Sequence, residues 1–420
     1  MKTSPGRMVV VGGGVIGTAC AYYLQLAGWS VTVLERGEIG KGTSFGNCGL
    51  VCPSHVLPLA EPGVLGKTVK ALFAKNSPFS IKPRLDPALW SWLYRFALRC
   101  NKRDMLDAAN GIHALLESSM REYRDLIARE SLDCEWERRG LLFPYMSAKA
   151  IDAYEPTNRL LAEEFGVPAK RLDDKALQLL EPALKPGLAG AWYYDDDAHL
   201  RPDKLLSAWR RVLEWRGVAF RADTPVTSFR VEDGTARAVV TPGGEIEADA
   251  FLVAAGALTP FLNAHLGCKI PIQPGKGYSL TMQRPAVCPA IPMIFAETRV
   301  AVTPFRSGYR LGSTMEFAGY DSTINPARLQ LLRDGATPYL REPYTDATEE
   351  EWFGWRPMTS DSLPIIDRSP ILGNVRIAAG HNMLGLSMAT ATGKLVAEMF
   401  SGEPTHIDPR PYRVARFTEA

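Results

Sequence analysis

The sequence lacks the features that would assign it to several simple protein classes. Its 48 Lys and Arg nearly balance its 46 Asp and Glu, and a formal net charge of +2 favours no nucleic-acid partner. The seven cysteines are an odd set without a Cys-x-x-Cys pair, and no histidine lies at zinc-ligand spacing from them. No stretch stays apolar for the ~20 residues of a spanning helix. The sequence therefore predicts no disulfide framework, no metal site and no membrane crossing.

The composition is that of a folded chain with a large core. It has 420 residues, 46% of them apolar and 22% charged. At ~100–200 residues per domain, this length predicts two or three modules. The residues before the first apolar run are too few for the basic and apolar regions of a signal peptide. Together with the unpaired cysteines, this favours a reducing cytoplasm.

The first motif is a glycine-rich turn after a short apolar run. Residues 8–11 (Met-Val-Val-Val) are typical of a parallel strand covered on both faces, and Gly-Gly-Gly-Val-Ile-Gly follows at once. In such a motif Gly12 permits the tight turn, Gly14 lets the backbone approach a pyrophosphate, and Gly17 allows the next helix to pack closely. The N–H groups at the start of that helix would point to the phosphates.

A second strand and an acid complete the pattern. After a turn at Gly28, residues 31–34 (Val-Thr-Val-Leu) lead into Glu35, about 20 residues beyond the first glycine. A carboxylate there can hold both ribose hydroxyls of an adenosine. Strand, glycines, helix, strand and acid in this order predict a dinucleotide site. The alternative is a glycine turn with a purely structural role.

The segment after Glu35 departs from the βαβ unit with which an NAD domain normally continues. Residues 37–54 contain five glycines together with Thr43, Ser44 and Asn47. Such a loop can donate backbone and hydroxyl hydrogen bonds to phosphate, ribityl or ring oxygens. Its length suggests a large ligand that binds in an extended conformation.

Four motifs then occur in a fixed order along the chain. They are a Thr-Ser-x-x-Asn-x-Gly loop at 43–49, Pro-x-x-Pro-x-Lys-Gly-Tyr-Ser at 271–279, Gly-x-Arg-Pro-x-Thr-x-Asp-x-x-Pro at 354–364 and Gly-His-x-x-Leu-Gly at 380–385. In this order they resemble the D-amino acid oxidase/glycine oxidase family of FAD enzymes. The resemblance runs along almost the whole chain. Within the family it is strongest to D-amino acid dehydrogenases of the small subunit type.

The resemblance implies a fold of the α/β and α+β classes. A discontinuous Rossmann-like FAD-binding domain would comprise residues 1–53, 187–266 and 353–420. A mixed-sheet substrate-binding domain would comprise 54–186 and 267–352. The implied reaction is oxidative deamination of D-amino acids, with hydride transfer from Cα to flavin N5 and an imino acid that hydrolyses to a 2-oxo acid and ammonia. The electrons would pass to a quinone or another acceptor.

The resemblance also implies which residues surround FAD. The backbone at Val226 would contact the adenine, the alternative being a plain buried strand valine, and Ala255 and Gly256 would end a strand beside the cofactor. A final helix from about Leu384 would direct its positive N-terminus at the flavin, where His381 either adds to this charge or only packs. The predicted cofactor-binding residues are Gly12, Gly14, Val15, Ile16, Gly17, Glu35, Arg36, Thr43, Ser44, Asn47, Cys48, Gly49, Val226, Ala255, Gly256, Gly380, His381, Asn382, Leu384 and Gly385.

Cys48 lies inside the predicted flavin loop. Some members of the family attach FAD through a cysteine, but the position of Cys48 does not match theirs. We interpret Cys48, and likewise Cys52, as packing residues, and we expect FAD to be bound non-covalently.

Three residues are candidates for the substrate end of the site. Arg356 stands where the family has its carboxylate-binding arginine and can bind an amino-acid carboxylate bidentately; the alternative is a surface arginine stacked on Trp352 or Trp355. Tyr278 either shares that carboxylate or belongs to the core. His55 ends the flavin loop and either faces the substrate or is solvated.

Residues 63–103 form a basic amphipathic segment with nine Lys and Arg and one acid, Asp86. Apolar stripes at helical spacing lie within 65–73 and within 89–97. Such a segment can dock on the anionic inner face of the cytoplasmic membrane, near a quinone, or it can pack into the substrate domain. By contrast, the three consecutive acids at 195–197 are interpreted as a solvated loop.

Several activities stay open at this point. They are a cyclic D-amino acid dehydrogenase acting on D-proline or D-hydroxyproline, a glycine or D-amino acid oxidase that uses O₂, and a flavin-carrying subunit of a larger complex. A carboxylate-binding Arg356 argues against a subunit that only relays electrons. A nicotinamide dehydrogenase is disfavoured by the 43–49 loop.

Overall fold

The computed structural model describes residues 6–64, 66, 79–82 and 84–417. The predicted apolar stripe within 65–73 lies outside these residues. Within the described part the α-helices are α1 Val15–Leu26, α2 Pro87–Arg99, α3 Lys102–Glu130, α4 Ala148–Asp152, α5 Glu155–Phe165, α6 Asp174–Leu180, α7 Pro202–Trp215, α8 Asn263–Leu266, α9 Pro326–Ala336 and α10 Gly385–Ser401. No helix in these described ranges is long and apolar enough to span a bilayer.

The strands of the described residues fall into four sheets. Their bounds are β1 Arg7–Val11, β2 Ser30–Leu34, β3 Leu50–Val51, β4 Phe79–Ile81, β5 Leu141–Tyr145, β6 Lys170–Leu172, β7 Gly190–Tyr194, β8 Ala198–His199, β9 Ala219–Arg221, β10 Ser228–Glu232, β11 Thr235–Thr241, β12 Gly244–Glu247, β13 Ala250–Val253, β14 Gln273–Met282, β15 Met293–Phe295, β16 Val300–Phe305, β17 Gly308–Phe317, β18 Thr348–Met358, β19 Ile365–Arg368 and β20 Val375–Ala379.

The first large sheet has six strands in the order β19-β20-β13-β1-β2-β9 and is parallel except for β19. Side chains of β1 alternate between its two faces. Met8 and Val10 pack into one core cluster. Val9 and Val11 pack into another. This strand is therefore covered on both sides, as its unbroken apolar run predicts, and its carboxyl end carries the glycine-rich turn.

Two helices meet closely over this sheet. A Cβ added to Gly393 of α10 would lie 2.7 Å from the backbone of Ala19 in α1, so only glycine allows this approach. On its other side α10 contacts α3, where the Ser119 and Thr390 hydroxyl oxygens are 2.6 Å apart. The final helix is thus fixed against the nucleotide-binding helix.

The second large sheet is mixed, as predicted, and has the strand order β18-β14-β17-β16-β15-β5-β7-β6, with β4 beside β17. The β15–β5 and β17–β4 pairs are parallel, whereas the other pairs are antiparallel. Long pairing of β14 with β18 places Arg356 opposite Gly275. This sheet therefore carries the candidate substrate-binding arginine.

The two sheets depart from the predicted domain boundaries. β7 lies within 187–266, which was assigned to FAD, yet it pairs in the mixed sheet. β18 crosses the boundary at 353 because its pairing with β14 continues through Met358. α3 lies within 54–186 but packs against α10. The division into two domains stays a prediction, with these three elements corrected.

The final helix predicted from about Leu384 is confirmed as α10, and Gly402 ends it in a left-handed conformation with φ 66°. β11 and β12 form a hairpin. Val226, whose alternative interpretation was a buried strand valine, is not in a strand. Val226 lies in a loop after β9, because the Thr224 N–H donates to the carbonyl of Glu35 at 2.7 Å and holds this segment beside the end of β2.

Candidate functional site

The glycines of the first motif stand where close packing requires them. Gly12 has φ +113°, and an added Cβ would lie 2.4 Å from the carbonyl oxygen of Ala254. A Cβ on Gly17 would lie 1.8 Å from the carbonyl oxygen of Gly12. At Gly14 the nearest atom is the Ser44 Oγ at 3.3 Å. The motif therefore forms the strand–turn–helix that the sequence predicts, with space left at its centre.

The first turn of α1 and the end of β2 face each other across this space. The Gly13 N–H donates to Glu35 Oε2 at 2.8 Å. The Val15 N–H donates to Ser44 Oγ at 3.0 Å. The N-terminus of a helix attracts anions through its backbone N–H groups and its dipole. An acid and a hydroxyl thus lie on either side of the position where a pyrophosphate would bind.

Substitution of Gly17 by alanine is expected to weaken FAD binding. The new methyl group would push α1 away from the turn, and the helix N–H groups would move with it. We expect the FAD affinity to fall on the order of tenfold or more, about 1.4 kcal/mol. Titration of the apoprotein with FAD, followed by quenching of flavin fluorescence, measures the change.

Gly37→Ala is the matched control, because no atom lies within 4 Å of a Cβ built there. Its FAD affinity should equal that of the wild type. Equal affinities for the Gly17 and Gly37 variants would contradict the role assigned to Gly17.

Three side-chain hydrogen bonds hold the loop at residues 43–49 in place. The Thr43 hydroxyl donates to the carbonyl of Trp355 at 2.9 Å. The Asn47 side chain accepts from the Gly49 N–H at 2.8 Å. The Thr303 hydroxyl donates to the Cys48 carbonyl at 2.6 Å. These contacts fix the loop against the mixed sheet and leave its other surface to a ligand.

A buried arginine that the sequence analysis missed anchors the same loop. Arg310 is only 1% exposed, and its guanidinium donates to the carbonyls of Asn47 at 2.7 Å and Phe45 at 3.2 Å. It also donates to the Thr281 hydroxyl at 2.9 Å. The signal in the sequence was a charged residue inside an apolar strand.

One cavity of about 1890 Å³ connects the glycine-rich turn with Arg356. All but three of the predicted cofactor residues line it. The three exceptions shape the backbone instead. Gly17 packs against Gly12, whereas Gly49 and Gly380 have φ +77° and +79°, and a Cβ on either would clash with a neighbour. The volume and extended lining suit a large dinucleotide such as FAD.

The turn before α10 is built from buried polar groups. Asn382 has φ +51°, accepts from the Thr359 N–H at 2.9 Å and donates to the Gly380 carbonyl at 2.8 Å. The His381 ring nitrogen Nε2 lies 3.0 Å from the Thr392 hydroxyl. Burial lowers the pKa of His381 to about 3. A neutral ring adds no positive charge beside the flavin, so the packing role is the one that the structure supports.

Arg356 lies in the cavity wall without an acidic partner. Its guanidinium donates to the carbonyls of Thr314 at 2.8 Å and Ser313 at 3.1 Å. Among the described residues no carboxylate forms an ion pair with it, and burial lowers the pKa of this group. Thr314 also lines the cavity, and its buried hydroxyl makes no hydrogen bond within the described part of the chain. This end of the cavity therefore presents a cation to an anionic ligand.

Tyr278 does not join Arg356. A Cβ on Gly277 would lie 2.3 Å from the Arg356 guanidinium, and successive residues of a strand point to opposite faces. Tyr278 accordingly packs into the core of the mixed sheet, and its hydroxyl donates to Glu316 Oε2 at 2.7 Å. Tyr278 also lines the cavity, but because its hydroxyl is bonded to Glu316 the core alternative is the one that the structure favours.

His55 lines the cavity and is partly buried, which lowers its pKa to about 4.

Near His55, the interpretation of residues 195–197 as a solvated loop is wrong for one of the three acids. Asp195 and Asp196 are exposed, but Asp197 is 1% exposed and accepts hydrogen bonds from the Ser54 N–H and hydroxyl. The Cys52 Sγ, a His55 ring nitrogen and an Asp197 oxygen all lie within 4.8 Å of one another.

Comparisons with known proteins agree with this geometry. The family described as "FAD dependent oxidoreductase" matches residues 7–399. A protein of Methylobacterium nodulans named D-amino acid dehydrogenase is 34% identical over 99% of this chain and 100% of its own length. Among solved structures, glycine oxidase from Geobacillus kaustophilus superposes with a TM-score of 0.77 at 22% identity, covering 99% of both chains. L-Proline dehydrogenase from P. horikoshii gives 0.74 at 21% identity, covering 99% and 98%.

Proposed function

Because the chain belongs to the FAD dependent oxidoreductase family, we propose that it catalyses the oxidative deamination of D-amino acids as a dehydrogenase. The site residues named above are part of this proposal. The product would be an imino acid that hydrolyses to a 2-oxo acid and ammonia. The electrons would pass to a quinone or another acceptor.

The observation that carries the proposal is Arg356. A half-buried guanidinium that has no acidic partner among the described residues is energetically unfavourable unless a ligand supplies the negative charge. A carboxylate can accept two parallel hydrogen bonds from it. The two backbone carbonyls already bonded to Arg356 fix its orientation. An α-amino acid held in this way would have a fixed orientation, and orientation is what binding contributes to the rate.

The remaining chemistry belongs to the cofactor and its surroundings. FAD, when bound, accepts a hydride from the substrate Cα. The chain contributes the positive end of α10, which begins at Gly385 and lines the same cavity. The neutral His381 and the turn closed by Asn382 position that helix end. The apolar lining excludes water from the reacting atoms.

An anaerobic spectrum of the purified protein tests the proposal. D- and L-amino acids, D-proline and D-hydroxyproline would be added in turn, and bleaching of the visible flavin band would be recorded. Bleaching by D-isomers and not by their L-partners is the expected result. A flavin that none of these compounds reduces would contradict the proposal and favour a flavin-carrying subunit. Oxygen consumption without an added acceptor would identify an oxidase instead.

The acceptor and a peripheral membrane contact are further parts of the proposal, supported by α2. Trp90, Tyr94 and Leu98 recur every four residues on this helix and are 58%, 67% and 58% exposed. The opposite face, with Leu89 and Trp92, is buried, so the packing alternative applies to that side of the helix, and only the exposed side is available for the proposed membrane contact. Trp90 and Leu93 also line the cavity, which supports the proposal of a lipid-soluble acceptor that reaches the site from this helix.

We expect the protein to float with anionic vesicles at low salt and to be released at high salt. Replacing Trp90, Tyr94 and Leu98 together by serine should reduce the floated fraction severalfold, because exposed apolar area and charge act together. Trp215→Ser is the matched control, since Trp215 is 84% exposed on α7. A wild-type protein that stays at the bottom of the gradient would refute the membrane contact.

A further inference from the structure

Asp197 is a buried carboxylate whose partners are all neutral. The Ser54 N–H donates to its Oδ1 at 3.1 Å, and the Ser54 hydroxyl donates to its Oδ2. Among the described residues no lysine or arginine forms an ion pair with it. The neighbouring acids differ, since Asp195 pairs with Lys170 and Asp196 lies 3.5 Å from Arg138 at the surface. Burying an ionised carboxylate without a cation beside it raises the free energy of the folded state. A functional role would explain why Asp197 is buried in this way.

The segment that holds Asp197 also forms part of the cavity wall. Cys52, Ser54 and His55 line the cavity, with Asp197 behind them. The Cys52 N–H donates to the Ser387 hydroxyl at 3.3 Å, and that hydroxyl donates to the Leu50 carbonyl at 2.9 Å. Ser387 belongs to the first turn of α10, the helix end that faces the cofactor in the proposed function. The buried carboxylate therefore lies one layer behind the reacting end of the cavity.

His55 and Ser54 connect the cavity to Asp197. The His55 Nδ1 is 3.5 Å from the Ser54 Oγ, and the Ser54 Oγ is bonded directly to Asp197. We propose that these groups form a proton relay in which His55 takes a proton from the substrate ammonium and Asp197 stores it. This inference rests on the proposed function, because only an amine substrate brings such a proton.

The relay provides a base that accepts a proton from the substrate ammonium. An ammonium nitrogen has no free electron pair to form the C=N bond, so one N–H bond must break first. The proton passes to the His55 ring, the electron pair stays on nitrogen, and Ser54 transfers a proton onward to the Asp197 carboxylate. The Cα–H bond then breaks with its electron pair, which leaves as hydride to the flavin, and the nitrogen pair forms the C=N bond. The oxidant is the flavin, and the charges balance.

Other titratable groups facing Asp197 remain neutral near pH 7. They are the Cys52 thiol, the Tyr154 and Tyr194 hydroxyls, which are bonded to each other at 2.8 Å, and the His55 ring. Asp196 lies on the solvent side, 3.5 Å from Arg138. Burial raises the pKa of the thiol and of both hydroxyls and lowers that of His55 to about 4. Burial raises the pKa of Asp197 from 3.8 to about 7, so it alone in this set changes charge in the neutral range.

The test compares wild type, Asp197→Asn, Ser54→Ala and the matched surface control Asp196→Asn. The rate of flavin reduction by a D-amino acid would be measured anaerobically from pH 6 to 10 in stopped flow. For the wild type and the control we expect a rise through about pH 7, where Asp197 ionises and can accept a proton. For Asp197→Asn that rise should vanish, with a rate at pH 8 lower by about 100-fold.

A second readout does not use activity. A carboxyl whose pKa is raised on folding stabilises the protein below its unfolded pKa and loses that contribution as pH rises to the folded pKa. The Tm of the wild type should therefore fall relative to that of Asp197→Asn between about pH 4 and 7. Asp196→Asn should follow the wild type.

The outcomes separate the relay from the proposed function. Flavin reduced with the same pH profile in wild type and Asp197→Asn would overturn the relay. A flavin that no D-amino acid reduces would remove the proposed function and the relay's substrate with it, whereas the Tm comparison would still show whether Asp197 titrates. If Asp197→Asn does not fold, Ser54→Ala decides the question, because the loss of the bridging hydroxyl should slow flavin reduction and move its pH dependence upward.

Discussion

Replacing Arg356 with methionine is expected to lower kcat/KM for a D-amino acid by about a thousandfold. Two hydrogen bonds to a charged carboxylate are lost, each worth about 1.5–3 kcal/mol. A tenfold change in rate corresponds to about 1.4 kcal/mol. Arg356→Lys keeps the charge but loses the planar fork, so its loss should be smaller, about 10- to 100-fold. Anaerobic flavin reduction at a series of substrate concentrations measures both effects.

The controls for this prediction separate binding of the substrate from integrity of the site. Flavin content and Tm should stay close to the wild-type values, although the Thr314 and Ser313 carbonyls lose their donor. Arg368→Met, on an exposed position of β19, should leave kcat/KM unchanged. An Arg356→Met enzyme with wild-type kcat/KM would assign the carboxylate to another residue and remove the main support for the proposed function.

Replacing Arg310 with methionine is expected to release the flavin loop from the mixed sheet. The carbonyls of Phe45 and Asn47 and the Thr281 hydroxyl would lose a buried donor at once. Each buried polar group that is left without its hydrogen-bond partner costs about 1–3 kcal/mol. We expect a large fall in Tm and loss of FAD during gel filtration, because Thr43, Ser44, Gly46, Asn47 and Cys48 of this loop line the nucleotide cavity. Thermal unfolding and the flavin-to-protein absorbance ratio measure these changes.

Arg306 offers a matched control for Arg310. It lies in the turn between β16 and β17, the strand that carries Arg310. Its side chain is 61% exposed near Asp133. Arg306→Met should therefore change the free energy of unfolding by less than about 0.5 kcal/mol. If the Arg310 variant kept its flavin and its Tm, the contacts made by Thr43, Asn47 and Thr303 would be enough to hold the loop.

The local parts of the site could be predicted because their chemistry is written in consecutive residues. The glycines at 12, 14 and 17, the preceding apolar strand and Glu35 all lie within one βαβ unit, whose spacing fixes their geometry. Arg356 and the 380–385 turn were found through resemblance, because a strand or turn by itself does not indicate a carboxylate ligand.

Tertiary structure decided the rest, since the deciding contacts join residues far apart in the chain. Asp197 is next to two exposed acids in sequence, and only its pairing with Ser54, 143 positions away, buries it. Tyr278 and Arg356 both belong to family motifs, but the pleat of the mixed sheet places them on opposite faces. Arg310 became a loop anchor because β17 passes beneath residues 45–47. The sequence by itself determined the nucleotide-binding unit and the family, because both depend on short spacings. Burial, and with it the charge and orientation of each side chain in the cavity, depends on which strands pair across the whole chain.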